Sequence, residues 1–314
     1  MNIRKVQLYQ TPLTDNQSFQ YAEKTLLGGQ SVETVLRLTA TVTTSGTAPV
    51  GGSGSLLDYI TRVVMKGTHK LKGTVTLFDL SPRELYEYAH VVTKTYNDKA
   101  DAGFAINSTY NVLVEIPLMH ALKDIQGGYA TILDGFFSWN DLEVDVYTGS
   151  ISNMYTTVNG ATISSQQLTI KQERITEPLV EYPPVFCMVK KLAKSTAAGA
   201  ISPESVLQYG KIRGYLLHTQ ASGVDSDSVL GDVHIIENGV GASIFDAESF
   251  GALKSNNKRH FKLENLSTGM AMIDFTSSEF LPTDFKNGYD YAQLDMTGTI
   301  LNTGNIYIIP MFVV

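Results

Sequence analysis

The stretch "NDLEVDVY" (140–147) holds a compact set of groups able to exchange protons. Asp141, Glu143 and Asp145 alternate with Leu142, Val144 and Val146, so on a β-strand the acids share one face and the apolar residues the other. Two carboxylates on one face could serve as the acid and base of a glycosidase, which makes Glu143 and Asp145 the candidates for a hydrolase. The same alternation describes a half-buried strand with a solvated acidic face, and that plainer reading is preferred. In "GVDSDSVLGD", Asp225, Asp227 and Asp232 could offer oxygens to calcium. The loop lacks the central Gly and distal Glu of an EF-hand, so an acidic surface loop is expected instead.

The 6 histidines are His69, His90, His120, His218, His234 and His260. None forms a His-x-His or His-x-x-x-His pair, so no zinc site is expected. His69 falls beside a strand turn, and His90 late in a helix, where its charge suits the dipole. There is no Gly-x-Ser-x-Gly elbow, no Walker A sequence and no Gly-x-Gly-x-x-Gly fingerprint. Gly210-Lys211-Ile212 lacks the Ser or Thr that a phosphate loop needs. The single cysteine, Cys187 in "PVFCMV", permits no intramolecular disulfide and reads as a small core hydrophobe. Tyr289 and Tyr291 in "FKNGYDYAQ" could form a lectin-like aromatic loop, with core or subunit-contact packing preferred. No residue is assigned a catalytic, cofactor-binding or metal-binding role, and no enzyme is expected.

The elements that would carry these residues are mostly strands. "VETVLRLTATVTT" alternates, with Leu36, Leu38, Ala40 and Val42 on one face. "YITRVVMKG" and "HKLKGTVTLFDL" read as two strands joined at Gly67-Thr68, after a "GGSGS" turn at Gly51–Ser55. "NVLVEIPL", "DLEVDVYTG" and "ATISSQQLTIKQERI" follow. "TEPLVEYPPV", with Pro178, Pro183 and Pro184, suits a linker. Beyond it come "VFCMVKKLA", "YGKIRGYLLHTQ", "DVHIIENG", "HFKLENL", "MAMIDFT", "AQLDMTGTI" and "NIYIIPMFVV". In the last, Pro310 predicts an edge position or a bulge. Ser202-Pro203-Glu204 reads as the start of a short helix.

Composition bounds the function. At 314 residues, with a net charge of −7, the chain is large enough to fold without staples and too acidic for direct nucleic-acid binding as a whole. Charged residues make up 18%, which fits a surface partly covered by other subunits, or simply a Thr- and Gly-rich β-protein. No run is long and apolar enough for a membrane-spanning helix, and the N-terminus lacks the apolar region of a signal peptide.

One helix stands out. "LFDLSPRELYEYAHVV" has a Ser81-x-x-Glu84 capping box, Pro82 at the first helical position, and Leu85, Tyr88, Ala89 and Val92 on one face. Its counterpart is "SIFDAESFGALK", with Asp246 as the expected N-cap and Glu248 in the first turn. In both places a strand ends in Phe-Asp before a helix. Further on, "DVYTG" and "DMTG" each close a strand, at Gly149 and Gly298. The order is the same and the spacing differs, which predicts one β-sandwich present twice with unequal loops.

"GGQSVETVLRLTATVTT", the Gly/Ser loop, "LLDYITRVVMKG" and the strand into "LFDLSPRELYEYAH", with "MAMIDFTSSEFLPTDF" in the second half, resemble the double jelly-roll major capsid proteins of tailless icosahedral viruses, best the corticovirus-like and finnlakevirus-like phages with an internal membrane. The resemblance implies an all-β chain of two consecutive eight-stranded jelly rolls, each with a short helix: an N-terminal arm over 1–20, a first jelly roll over 21–176, a linker over 177–184 and a second jelly roll over 185–314. It implies a structural, non-catalytic protein made in the host cytoplasm and resident in the virion. Its partners would be copies of itself in homotrimeric, pseudo-hexagonal capsomers, other capsid proteins such as the vertex protein, and an internal membrane reached through Arg4 and Lys5 of the arm. No cofactor is implied. Long loops near 94–110, 119–139 and 277–292 would make the outward protrusions. The alternative is a carbohydrate-binding or host-recognition β-sandwich, carried by the Tyr289 and Asp225 loops.

Overall fold

The computed structural model describes residues 3–22, 30–71, 73–93, 106–120, 133–134, 139–175, 186–189, 191–206, 211–237, 243–261, 266–274 and 294–313. The chain divides into two compact units: Met1–His90, Thr95–Ala121 and Ile132–Pro183 form the first, and Val91–Lys94, Leu122–Thr131 and Pro184–Val314 the second. The linker expected over 177–184, the three long loops for most of their length, and Tyr289 and Tyr291 lie outside the described residues.

The first unit contains β1 (Ile3–Pro12), β2 (Ser18–Ala22), β3 (Gln30–Thr43), β4 (Ile60–His69), β5 (Gly73–Leu80), β6 (Thr109–His120), the two-residue β7 (Leu133–Asp134), β8 (Trp139–Thr148) and β9 (Thr162–Ile175). Antiparallel pairing runs β1-β9-β3-β6 in one sheet. In the other, β5 pairs with β4, β4 with β8, and β8 with β2. Leaving out β7, which pairs with the start of β3, this is the eight-stranded jelly roll, with first, last, third and sixth strands opposed to second, seventh, fourth and fifth. The alternation read in 35–42 is what selects the buried face. Leu36 lies between Ile170 and Ile116, and Leu38 between Leu168 and Val114, all buried. Each such side chain taken out of water contributes about 1.5–3 kcal/mol. In the other sheet, Met65 and Val144 pair across β4 and β8, and Val63 pairs with Val146.

The expected N-terminal arm over 1–20 is instead part of the first jelly roll: Ile3–Pro12 is a strand of the first sheet, laddered along β9 from Ile3↔Ile175 to Pro12↔Gln167, and Ser18–Ala22 begins the other sheet. The turn placed at Gly67-Thr68 falls instead after His69, before β5 begins at Gly73. Gly67 is a strand residue opposite Leu142, and a Cβ there would sit 2.4 Å from the Asp141 carbonyl oxygen, so glycine is required by close approach and not by a turn. The "GGSGS" segment is a turn as read. Gly51, Gly52 and Gly54 have positive φ, and Ser55 caps a 3-10 turn over Leu56–Tyr59.

The second unit contains β10 (Phe186–Val189), β11 (Lys191–Thr196), β12 (Gly199–Val206), β13 (Lys211–Ala221), the two-residue β14 (Val224–Asp225), β15 (Leu230–Glu237), β16 (Ser243–Ala247), β17 (Met270–Asp274), β18 (Leu294–Ile300) and β19 (Gly304–Val313). One sheet places β19 between β13 and the β10/β11 segment, with β17 on the far side of β13. The other runs β12-β18-β15-β16. Counting β10 and β11 as one strand and leaving out the two-residue β14, which pairs with the end of β13, the order is again first, last, third, sixth against second, seventh, fourth, fifth. The chain is therefore all-β, with the same eight-stranded jelly roll twice.

Pro310 lies within β19, which is flanked on both sides, contrary to the edge expectation. The bulge, the other expectation, stands beside it: Pro310 pairs with Tyr215 of β13, next to the register shift between Ile212 and Gly214 opposite Phe312 and Met311. Ser202-Pro203-Glu204 begins no helix. It lies in β12, where the register slips between Ile201 and Glu204, the bulge that a proline without N–H demands. "DMTG" does not end its strand either. Gly298 is inside β18, where φ is +149° and a Cβ would meet the Asp232 carbonyl oxygen at 2.1 Å.

Each unit inserts a helix of 12 residues after its fifth strand: α1 (Pro82–Thr93) after β5, and α3 (Phe250–Phe261) after β16, with a single turn, α2 (Ile151–Met154), between them in sequence. The capping box of α1 is formed, the Ser81 N–H donating to Glu84 Oε2 at 2.8 Å and the Glu84 N–H to Ser81 Oγ at 3.4 Å. In α3 the cap is Ser249, whose Oγ accepts from the Ala252 N–H at 3.0 Å. Asp246 and Glu248 both precede the helix. Helix α3 packs on β17, and Asn257 acts there as a strand would. Its buried carboxamide accepts from the Met272 N–H at 2.6 Å and donates to the Met272 carbonyl at 2.7 Å.

Candidate functional site

The acidic strand 141–145 is β8, and its acids share one face as expected. That face is not simply solvated. Lys66 on β4, opposite Glu143 in register, places Nζ 2.7 Å from Glu143 and 3.1 Å from Asp145. Asp145 is buried and Glu143 half-buried, while Asp141 is exposed and accepts the Thr68 N–H at 2.8 Å. The bond to Lys66 holds the Glu143 carboxyl below the usual carboxylate range and raises the lysine in turn. A glycosidase acid needs a carboxyl pushed upward, so the shift runs the wrong way for a proton donor. On the same face Arg62 forms a bidentate pair with Asp79, both bonds 2.7 Å, and stacks 5.2 Å from the Tyr147 ring. These groups bond one another and tie β5, β4 and β8 together.

The face of the other sheet, across β1, β9, β3 and β6, is built the same way. Lys5–Glu173 at 2.8 Å and Arg37–Glu115 at 2.7 Å border a shallow depression of about 450 Å³ that also takes in Glu33 and Lys171. Acids and bases alternate there, so no single sign of charge is offered to a ligand.

The three aspartates of the calcium candidate do not converge. Asp225 bonds His218 at 2.8 Å and Gln220 at 2.9 Å. Asp227 takes Lys254 at 2.8 Å and the Gly269 N–H at 2.6 Å. Asp232 bonds His234 at 2.8 Å and accepts the Thr299 hydroxyl. Among the described residues, no group of three or more His, Cys, Asp or Glu could hold a metal ion.

The histidines carry more than their spacing announced. His69 sets its ring edge-on to Trp139 at 5.1 Å, and His90 stands in the last turn of α1. His218 is buried beside Asp225, its ring 5.4 Å from that of Tyr307. His234 is held on both sides: Nε2 lies 2.8 Å from Asp232 Oδ2 and Nδ1 lies 2.6 Å from Asp246 Oδ1. The Asp246 and Asp232 bonds raise its pKa above 6.5. Asp246 is lowered by the Ser243 hydroxyl and His234, and Asp232 by Thr299 and His234. The sequence held half of this signal, because Asp232-x-His234 on a strand puts both on one face. Asp246 came from another strand and read as a helix cap. The side chains of His120, Cys187 and His260 lie outside the described set.

No protein-family model and no curated protein matches the sequence. Solved structures do match its fold. The structure of the STIV MCP superposes over 100% of this chain and 97% of that one, with a TM-score of 0.68 at 15% identity. The atomic structure of Sulfolobus turreted icosahedral virus gives 0.71 at 13%, over 100% and 91%. The major capsid protein P2 from bacteriophage PM2 gives 0.54 at 12%, over 100% and 98%. Both units are thus matched at once: the chain has the double jelly-roll fold of these capsid proteins.

Proposed function

We propose that this chain is the major capsid protein of a tailless icosahedral virus, a structural and non-catalytic subunit of the virion made in the host cytoplasm. The observation that carries the reading is end-to-end coverage. A jelly roll alone hosts many functions, whereas two in tandem, matched over 97% of the STIV MCP with little left over, is the whole of a capsid subunit's plan. Three chains around an axis would set six similar sandwiches in a pseudo-hexagon, and closed symmetry would bury the same patches on every copy. Capsomers would then meet one another and other capsid proteins such as a vertex protein. The segment 177–184 would link the two jelly rolls. An internal membrane is a further partner in this proposal, but Lys5 is already paired with Glu173, so lipid contact through the N-terminal strand β1 would rest on Arg4.

Mass measurement of the purified chain tests the reading. A species near 103 kDa, three times the 34.4 kDa chain, is expected, with hexagonal tiles or shells in electron micrographs. A monomer at high concentration that forms no particles would sink it.

A further inference from the structure

An imidazole flanked by acceptors on both nitrogens must donate from both, and only the doubly protonated cation can do so. His234 is in that position. Asp232 lies on its own strand, β15. Asp246 lies on β16, with His234 and Asp246 opposite each other in register, and Ser243 of β16 donates to Asp246 at 2.6 Å. From β18 the Thr299 hydroxyl fixes Asp232. One cation therefore ties three strands. Of the other charges nearby, Lys254 of α3 bonds Asp227, while Asp295 of β18, opposite Ile236 in register, is buried with its Oδ1 unpaired. In this sheet β16 is the outer strand, five residues long, and α3 follows it directly.

We propose that His234 is a proton-dependent latch on β16, holding that strand and the entry to α3 in place when charged and loosening them when neutral. Losing the proton removes one of the two donors and sets a bare nitrogen lone pair against a carboxylate oxygen. The sign follows from the directions. A histidine raised in the folded state adds stability that is full below its ordinary 6.5 and is lost as pH rises through the raised value. The lowered aspartates add stability present above their ordinary 3.8, lost as pH falls through the lowered values. The latch therefore works in mild acid and opens on the alkaline side. The first unit has the contrasting arrangement, since Asp79 on its fifth strand is bonded by Arg62, a cation that does not titrate in this range.

Hydrogen–deuterium exchange on the full chain, from about pH 5 to about pH 9 and corrected for intrinsic exchange, tests this. In the wild type, protection of 243–247 should fall about fivefold as His234 deprotonates, while that of 73–80 stays flat. His234→Arg should keep 243–247 protected across the range, and His234→Gln should leave it weakly protected at every pH. Wild-type protection at 243–247 that does not change with pH overturns the proposal, whatever the variants do. A His234→Arg protein with an unchanged pH dependence overturns it as well. Neither readout depends on capsid assembly, so the latch can fail while the capsid reading stands, and the reverse.

Discussion

Asp79 and Asp246 occupy the same place in two copies of one fold, on the fifth strand of each jelly roll, just before its helix. Arg62 clamps the first with two bonds, and His234 meets the second with one. The strand frame is the same and the chemistry fastened to it is not. A fold repeated within a chain needs only its apolar alternation and its turns to be preserved. The polar pairs on its outer faces are free to diverge, because exposed pairs contribute only about 0–1 kcal/mol each.

If the frames are equivalent, the same cut in each should cost the same. Leu36 and Leu216 both lie on third strands and are fully buried. Leu36→Ala and Leu216→Ala should each cost about 2–5 kcal/mol, read from denaturant midpoints. A large disparity would show that one unit is the structural dependant of the other. The next cut separates the units. Asn257→Ala leaves the Met272 N–H and carbonyl without their partner and should cost about 1–3 kcal/mol per orphaned group. Faster exchange confined to β17 and α3, with the first unit unmoved, is the expected signature. The smallest effect sharpens the contrast most. Asp79→Asn should lower stability by at most about 1 kcal/mol, by an amount that does not vary between pH 6 and pH 9. Asp246→Asn should be felt at the acid end of that interval and vanish at the other, as two-dimensional pH–denaturant series would show.

Much of this frame was legible. The alternation at 35–42 chose the buried face, Ser81 and Glu84 closed the box they announced, and the Phe-Asp pairs marked where both helices follow. The misreadings share one cause. Gly67, Gly298 and Pro203 read as local punctuation, whereas each answers to a neighbouring strand distant in sequence: a carbonyl pressed close or a slipped register. Asp246 shows the same thing for the polar groups. Its chemistry suits a helix cap, and nothing local reveals that His234 on the facing strand claims it while Ser249 does the capping. The pairing of Lys66 with Glu143 and Asp145 was hidden for the same reason.

Asn257 carries one more consequence. A β-sheet is an addition polymer whose growing end is a row of open hydrogen-bonding groups, and any extended chain that arrives can become the next monomer. At Met272 that valence is occupied by a side-chain amide delivered on a helix. Asn257 is in this sense a chain terminator: it reacts once, as a strand would, and leaves no new end from which the sheet could propagate. Wherever copies of this chain are concentrated, such a terminator takes up a valence that a stray strand would otherwise fill.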